Sequence, residues 1–279
     1  MIEINLHKPG ELDVKMAFPS SWDDLLPNEV MSIAKLILSS PQSEVEARAS
    51  LLINIISDRL KSQKVKVPKN WKLLLDPENI VQDIFPLLDF IYDENNLTVL
   101  PIKSFKLTGA HNYTVYGPEK GFEDITCGEY EVTEQHYYSF IENPNTESIC
   151  KLVAAIFREK GRKFHTKNGN DTLDAYPFEK WAKAFSQIEE YKLYSIFIWY
   201  SGCRNQLVKM YPTVHEPGDD TDIISEPVMQ FTNCIHAGAG AKNGTRNNIR
   251  LMSLLEFYHD MEQEAIKAKK LKESYEQSK

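Results

Sequence analysis

With 279 residues, 42% hydrophobic and 26% charged side chains, the chain is long enough for a sizeable core in one or two domains, and its composition excludes wholesale disorder. Forty acidic side chains against 32 basic ones leave a formal charge of −8, which argues against a nucleic-acid ligand, because phosphate binding rests on clustered positive charge. The most apolar run, LYSIFIWY from Leu193 to Tyr200, is far short of the ~20 residues that a bilayer span requires, so no membrane association or export is expected.

Ile2, Ile4 and Leu6 alternate with polar residues, and Leu12, Val14, Met16 and Phe18 do the same beyond Pro9-Gly10. A period of two on both sides of a turn pair predicts a β-hairpin. Helical spacing follows, with Val30, Ile33, Ala34, Ile37 and Leu38 on one face behind Pro27. Ser43 and Glu46 read as a capping box opening a second helix, with Val45, Leu52, Ile55, Ile56 and Leu60 along one side. Asp76-Pro77 starts a third stretch through Ile80, Ile84, Leu87, Leu88 and Ile91, kinked or split at Pro86. LTVLPIKSFKL, Leu97–Leu107, has the branched and aromatic content of short strands and is expected to join the opening hairpin in a small sheet.

From Cys127 the pattern is helical again, capped by Thr126 with Glu129 three residues on. Ile149, Leu152, Val153, Ile156 and Phe157 form the cleanest amphipathic stripe, with Gly161 as its stop. One helical region from Phe178 to Tyr211, ended by Pro212, contains Trp181, Phe185, Ile188 and the all-round apolar LYSIFIWY, which marks it as the central helix. Residues 212–248 hold two Pro-containing turns, the acidic Asp219, Asp220 and Asp222, a short helix from Ser225 to Ile235 and a Gly-rich run; irregular segments of this length are usually binding surfaces or disordered. The chain closes with a helix of about 30 residues rising about 45 Å, more than a small core covers, so its charged distal half either frays or docks on a partner. The expected fold is mainly α, a multi-helix globular protein with a small N-terminal β element and a long C-terminal helix. Its expected parts are an α+β lobe over 1–110, a helical core over 111–211, and an irregular segment with the terminal helix over 212–279.

The stretch FEDITCGEYEVTEQHYYSF, Phe122–Phe140, is the densest set of chemically capable groups. Glu129 has a capping role, and at 100° per residue Glu131 and Glu134 fall opposite the apolar half and are expected to face water. His136 lies in the apolar half and reads as a core histidine. Cys127 sits in a first helical turn, where thiolates are favoured, yet a small buried residue is the preferred reading. Cys127, Cys150, Cys203 and Cys234 lack CxxC spacing and are expected as free thiols in a reducing cytoplasm. Glu256 and His259 make one ExxH pair where a di-iron bundle needs two, and Cys234 with His236 lacks a second pair for zinc. HAGAGAKNGT, His236–Thr245, lacks the GK[ST] of a phosphate loop and reads as a flexible loop. No catalytic residue, metal ligand or cofactor is assigned; the rival reading is a metal- or thiol-dependent enzyme using Cys127 with His136, or Glu256 with His259.

In order, FPSSWDDLLPNEVMSIAKLIL, YGPEKGFEDITCGEYEVTEQHYYSF, LVAAIFR, FIWYSGCRNQLVKMYPTV and a charged terminal helix occur along the chain. This series resembles a family of virion-assembly, tail-cluster proteins of tailed bacteriophages and prophages. The resemblance implies a non-enzymatic protein-binding protein of phage morphogenesis: a tail-assembly chaperone, adaptor or minor virion structural protein. Implied partners are phage structural or tail proteins, in the host cytoplasm during assembly or in the virion, with homo-oligomerisation an open option and neither nucleic acid nor membrane involved. Candidate contact residues are Asp219, Asp220 and Asp222 in the loop, and Lys267, Lys270, Leu271 and Tyr275 on the terminal helix.

Overall fold

A computed structural model describes residues 1–8, 12–41, 43–64, 84–108, 113–119, 121–159, 178–216, 227–240 and 243–278. The hairpin forms as its alternation requires. Strands β1 (Ile2–Lys8) and β2 (Leu12–Phe18) pair antiparallel with Ile4 opposite Met16 and Leu6 opposite Val14, burying Leu6, Val14, Met16 and Phe18 on one face. Helix α1 (Pro27–Ser39) begins on Pro27, whose missing N–H costs nothing in a first turn. Val30, Ile33 and Ala34 are buried, while Ile37 and Leu38 at its end are exposed. Helix α2 (Glu44–Ser62) starts where the Ser43 hydroxyl accepts the Glu46 amide at 3.2 Å, and it buries Leu52, Ile55, Ile56 and Leu60; Val45 stays exposed. Between these helices Arg59 donates Nε and Nη2 to the two oxygens of Glu29 at 2.7 and 2.8 Å, and Glu29 also accepts the Leu26 amide. Such a buried pair is stabilising only because each charge is met by several hydrogen bonds.

Of the stretch expected from Asp76 to Ile91, residues 65–83 lie outside the described residues, and Phe85–Ile91 is a 3-10 helix carrying Pro86 near its start. The segment read as extending the hairpin does something else. Strand β3 (Ser104–Leu107) pairs with β4 (Tyr113–Tyr116), which pairs with β5 (Arg158–Glu159), giving a separate antiparallel sheet in the order β3-β4-β5. Phe105, Leu107 and Val115 point from it into the core.

Helix α3 (Cys127–Glu142) packs on α4 (Thr146–Ile156), whose stripe Ile149, Leu152, Val153 and Ile156 is fully buried. Helix α4 stops at Ile156, short of Gly161, because Phe157 turns extended and leads into β5; Gly161 itself lies outside the described residues. The helical region expected as one piece is two, α5 (Phe178–Phe185) and α6 (Glu190–Met210), with a turn over 186–189 between them. Helix α6 is central as its composition implies: Leu193, Ile196, Trp199 and Tyr200 have no exposed surface, and it packs on α1 and α4. Gly202 lets a neighbouring chain segment lie directly on α6. A Cβ there would fall 2.4 Å from the Leu97 carbonyl oxygen, while Asn95 and Thr98 are tied to the same helix through the Ile198 carbonyl and the Trp199 indole.

Helix α7 (Pro227–Gly238) runs three residues past the expected end and takes in the first part of the Gly-rich run. The rest of that run closes through reciprocal backbone bonds between Gly240 and Gly244 at 3.0 and 2.8 Å, with Gly244 left-handed at φ 73. The terminal helix is also two pieces, α8 (Arg246–Leu251) and α9 (Leu254–Gln277). The interruption has a tertiary cause. The Met252 carbonyl accepts the Cys127 amide at 3.0 Å and the Leu254 amide donates to the Ile125 carbonyl at 2.9 Å, so Met252 and Ser253 are held out of the helix to cap α3. One cluster of buried side chains runs from Leu6 to Tyr258, mainly α throughout.

Candidate functional site

The first two turns of α3 are enclosed on all sides: every residue from Cys127 to Glu134 is buried. The capping box forms reciprocally, Thr126 Oγ1 accepting the Glu129 amide at 3.3 Å and Glu129 Oε2 accepting the Thr126 amide at 2.7 Å. Glu131 and Glu134 do not face water as expected; they are 5% and 4% exposed, because other helices supply each with an arginine. Arg250 of α8 donates Nε and Nη2 to Glu131 at 2.7 and 3.1 Å, and the Thr232 hydroxyl adds a third bond. Arg204 of α6 places Nε 2.7 Å from Glu134 Oε1, which also accepts the Tyr200 hydroxyl at 2.9 Å. Arg158 of β5 lies 3.0 Å from Glu129.

Three carboxylates on one helix thus bind three arginines from three other elements, and they are spent on holding those elements together. An isolated buried carboxylate would cost several kcal/mol, which these contacts offset. Burial pushes the Glu134 carboxyl above the usual range while Arg204 and Tyr200 pull it down. The hydroxyls of Tyr130 and Tyr200 are pushed well up by burial and by the Glu134 charge, so neither is poised to give up a proton.

Burial pushes the Cys127 thiol up to about 12, and the Glu131 and Glu256 charges push the same way, overriding the helix N-terminus. Its thiolate fraction at pH 7 is then on the order of 10⁻⁵. Cys150 is pushed up to about 11 by burial, and Cys203 and Cys234 rise for the same reason; all four thiols are free. His136 is half-buried, and it stands nine residues from Cys127 on the same helix, about 13 Å along the axis, so the two do not converge. Glu256 and His259 are both exposed on α9, and His236 is exposed beside a half-buried Cys234. Among the described residues, no group of three or more His, Cys, Asp and Glu side chains is placed to hold a metal ion. Among them, too, no helix is long and apolar enough to cross a membrane.

Helix α9 divides in two. Leu254, Phe257, Tyr258 and Glu262 are buried, and Glu262 accepts the Thr213 and Val214 amides at 3.1 and 2.9 Å, tying the chain after α6 to this helix. From Lys267 onward the helix is exposed, with Leu271 57% and Tyr275 65% accessible and Lys267 and Lys270 beside them. Lys269 reaches Glu216 at 2.9 Å. Asp219, Asp220 and Asp222 lie outside the described residues.

Sequence reasoning missed a cavity of about 440 Å³ between the 98–103 segment, the turn before α3, the end of α6 and the start of α9. Its walls are mostly apolar, with Leu100, Phe122, Leu207 and Leu255 inside and the exposed Val99 and Met210 at the mouth. Lys103, Glu119 and Glu123 stand around it. The signal available in the sequence was Gly202, which admits the 95–98 segment onto α6 and so builds one wall. Comparison of the chain with protein families, with curated proteins and with solved structures gives no match.

Proposed function

We propose that the protein is a non-enzymatic binding protein of tailed-phage morphogenesis, a tail-assembly chaperone, adaptor or minor virion component, working through the exposed half of α9. The observation that carries the binding role is that half-helix. Leu271 and Tyr275, two large side chains one turn apart, stand free of the body on a face they share with Lys267 and Lys270. Paired apolar anchors at i and i+4 on an exposed helix are what a partner groove recognises. The buried thiols and the arginine-bound glutamates support a non-catalytic role, since none of these groups is free to react. The phage setting comes from the resemblance in segment order alone.

Capture of co-expressed tail-tube and tape-measure proteins tests the proposal. The full-length chain is expected to capture one of them, and Leu271→Asp with Tyr275→Asp is expected to abolish capture while leaving the thermal melt unchanged. Point changes suit this test better than truncation after Met261, which would also remove the Glu262 tie to Thr213 and Val214. Retained capture by the double variant removes the assignment to α9, and a gene setting among metabolic genes removes the phage reading.

A further inference from the structure

The exposed half of α9 and the cavity are complementary in shape class and in charge. At 100° per residue, Lys267, Lys270, Leu271 and Tyr275 lie within an arc of about 140°, a single face with two apolar anchors and two positive charges to one side of them. The cavity offers the converse, apolar walls and a mouth bordered by Glu119 and Glu123. Neither of these carboxylates has an ion-pair partner among the described residues, nor do Lys267 and Lys270. With Asp124 alongside, acidic groups outnumber basic ones there among the described residues, where Lys103 is the lysine.

A chain cannot satisfy its own cavity. Leu255, at the start of α9, lines it, and Leu271 follows sixteen residues later in the same unbroken helix, about 24 Å away. Without proline or glycine between Leu254 and Gln277, nothing in the sequence folds the helix back. Any cavity that receives this face therefore belongs to another molecule.

We propose that the occupant is a second copy of this chain, with Leu271 and Tyr275 of one copy inserted in the cavity of the next, and Lys267 and Lys270 set against Glu119 and Glu123. The junction joins two different surfaces, so it closes into a dimer or ring if the rotation allows and extends into a chain if it does not. This self-docking rests on the reading of α9 as a docking element and names its partner.

Sedimentation of the full-length protein over a wide concentration range is the first measurement, with concentration-dependent association expected and weakened by salt. Two full-length variants are then compared. The helix variant carries Leu271→Asp and Tyr275→Asp; the cavity variant carries Val99→Asp and Met210→Asp, positions exposed enough for the fold to tolerate them. Each alone is expected to self-associate about tenfold or more weakly, with unchanged melting. Mixed in equal amounts, they are expected to regain association, because one intact helix then meets one intact cavity. Failure of the mixture to recover overturns the proposal, as does wild-type-like association of either variant. A wild type that stays monomeric at every concentration overturns it too, and leaves the binding of tail proteins to be judged by its own capture experiment.

Discussion

The first two turns of α3 and the last four turns of α9 both mix glutamates with polar and aromatic side chains, the second with lysines as well, yet one is sealed in the core and the other stands in solvent. The difference lies in where the counter-charges come from. Glu131 is met by an arginine 119 positions away, and Glu134 by a tyrosine 66 positions away and an arginine on the same helix as that tyrosine. The charges of distal α9 have lysine and glutamate neighbours on their own helix, so water can remain around them. A charged helix is buried when the tertiary structure delivers partners to it, and its own pattern does not disclose that.

The largest test of this contrast is Arg204→Ala. It leaves Glu134 buried without its charge partner and is expected to destabilise the protein by about 3–5 kcal/mol, read as a lower denaturant midpoint. An effect under about 1 kcal/mol would mean that the α3 carboxylates behave like solvated ones.

Next come opposite pH slopes from two buried glutamates, one on α3 and one on the packed half of α9. Burial raises the Glu134 carboxyl, so its contribution is fully present below the ordinary glutamate range and is lost as pH rises through the raised value. For Glu262, burial works against ionisation but the Thr213 and Val214 amide bonds outweigh it, so the carboxyl is lowered. Its contribution is present above the ordinary range and lost as pH falls through the lowered value. Glu134→Gln should flatten the first slope and Glu262→Gln the second, each by at most about 1.4 kcal/mol per pH unit in stability measured against pH.

Thr126→Ala removes one arm of the α3 capping box and is expected to cost about 1 kcal/mol in the same denaturation measurement. At the other end of the scale, Lys267→Ala and Lys270→Ala should each shift stability by no more than about 0.5 kcal/mol while weakening association, which separates a docking role from a structural one.

Features set by short-range chemistry were legible in the sequence. Alternation about Pro9-Gly10 specified the hairpin, Pro27 and Ser43 marked two helix starts, Thr126 with Glu129 marked a third, and the all-round apolar run at Leu193–Tyr200 marked the buried centre. Each rests on residues within a few positions of one another. The break at Glu189 carries no proline or glycine, and the one at Met252 exists because a distant helix start needs its carbonyl. Strand β3 found its partner in β4, with β5 on the far side of β4, because alternation states which face is buried and leaves the neighbouring strand open.

The candidate site divides in the same way. That α9 outruns the body followed from its length and charge, since a helix rises by a constant amount per residue whatever its surroundings. The opening hairpin, the helix starts at Pro27, Ser43 and Thr126 and the mainly α class were therefore determined by the sequence alone. The burial of Glu131 and Glu134, the raised Cys127 thiol and the cavity beneath Met210 were decided only by the tertiary structure, because desolvation and ion pairing depend on groups that the chain brings together from far apart.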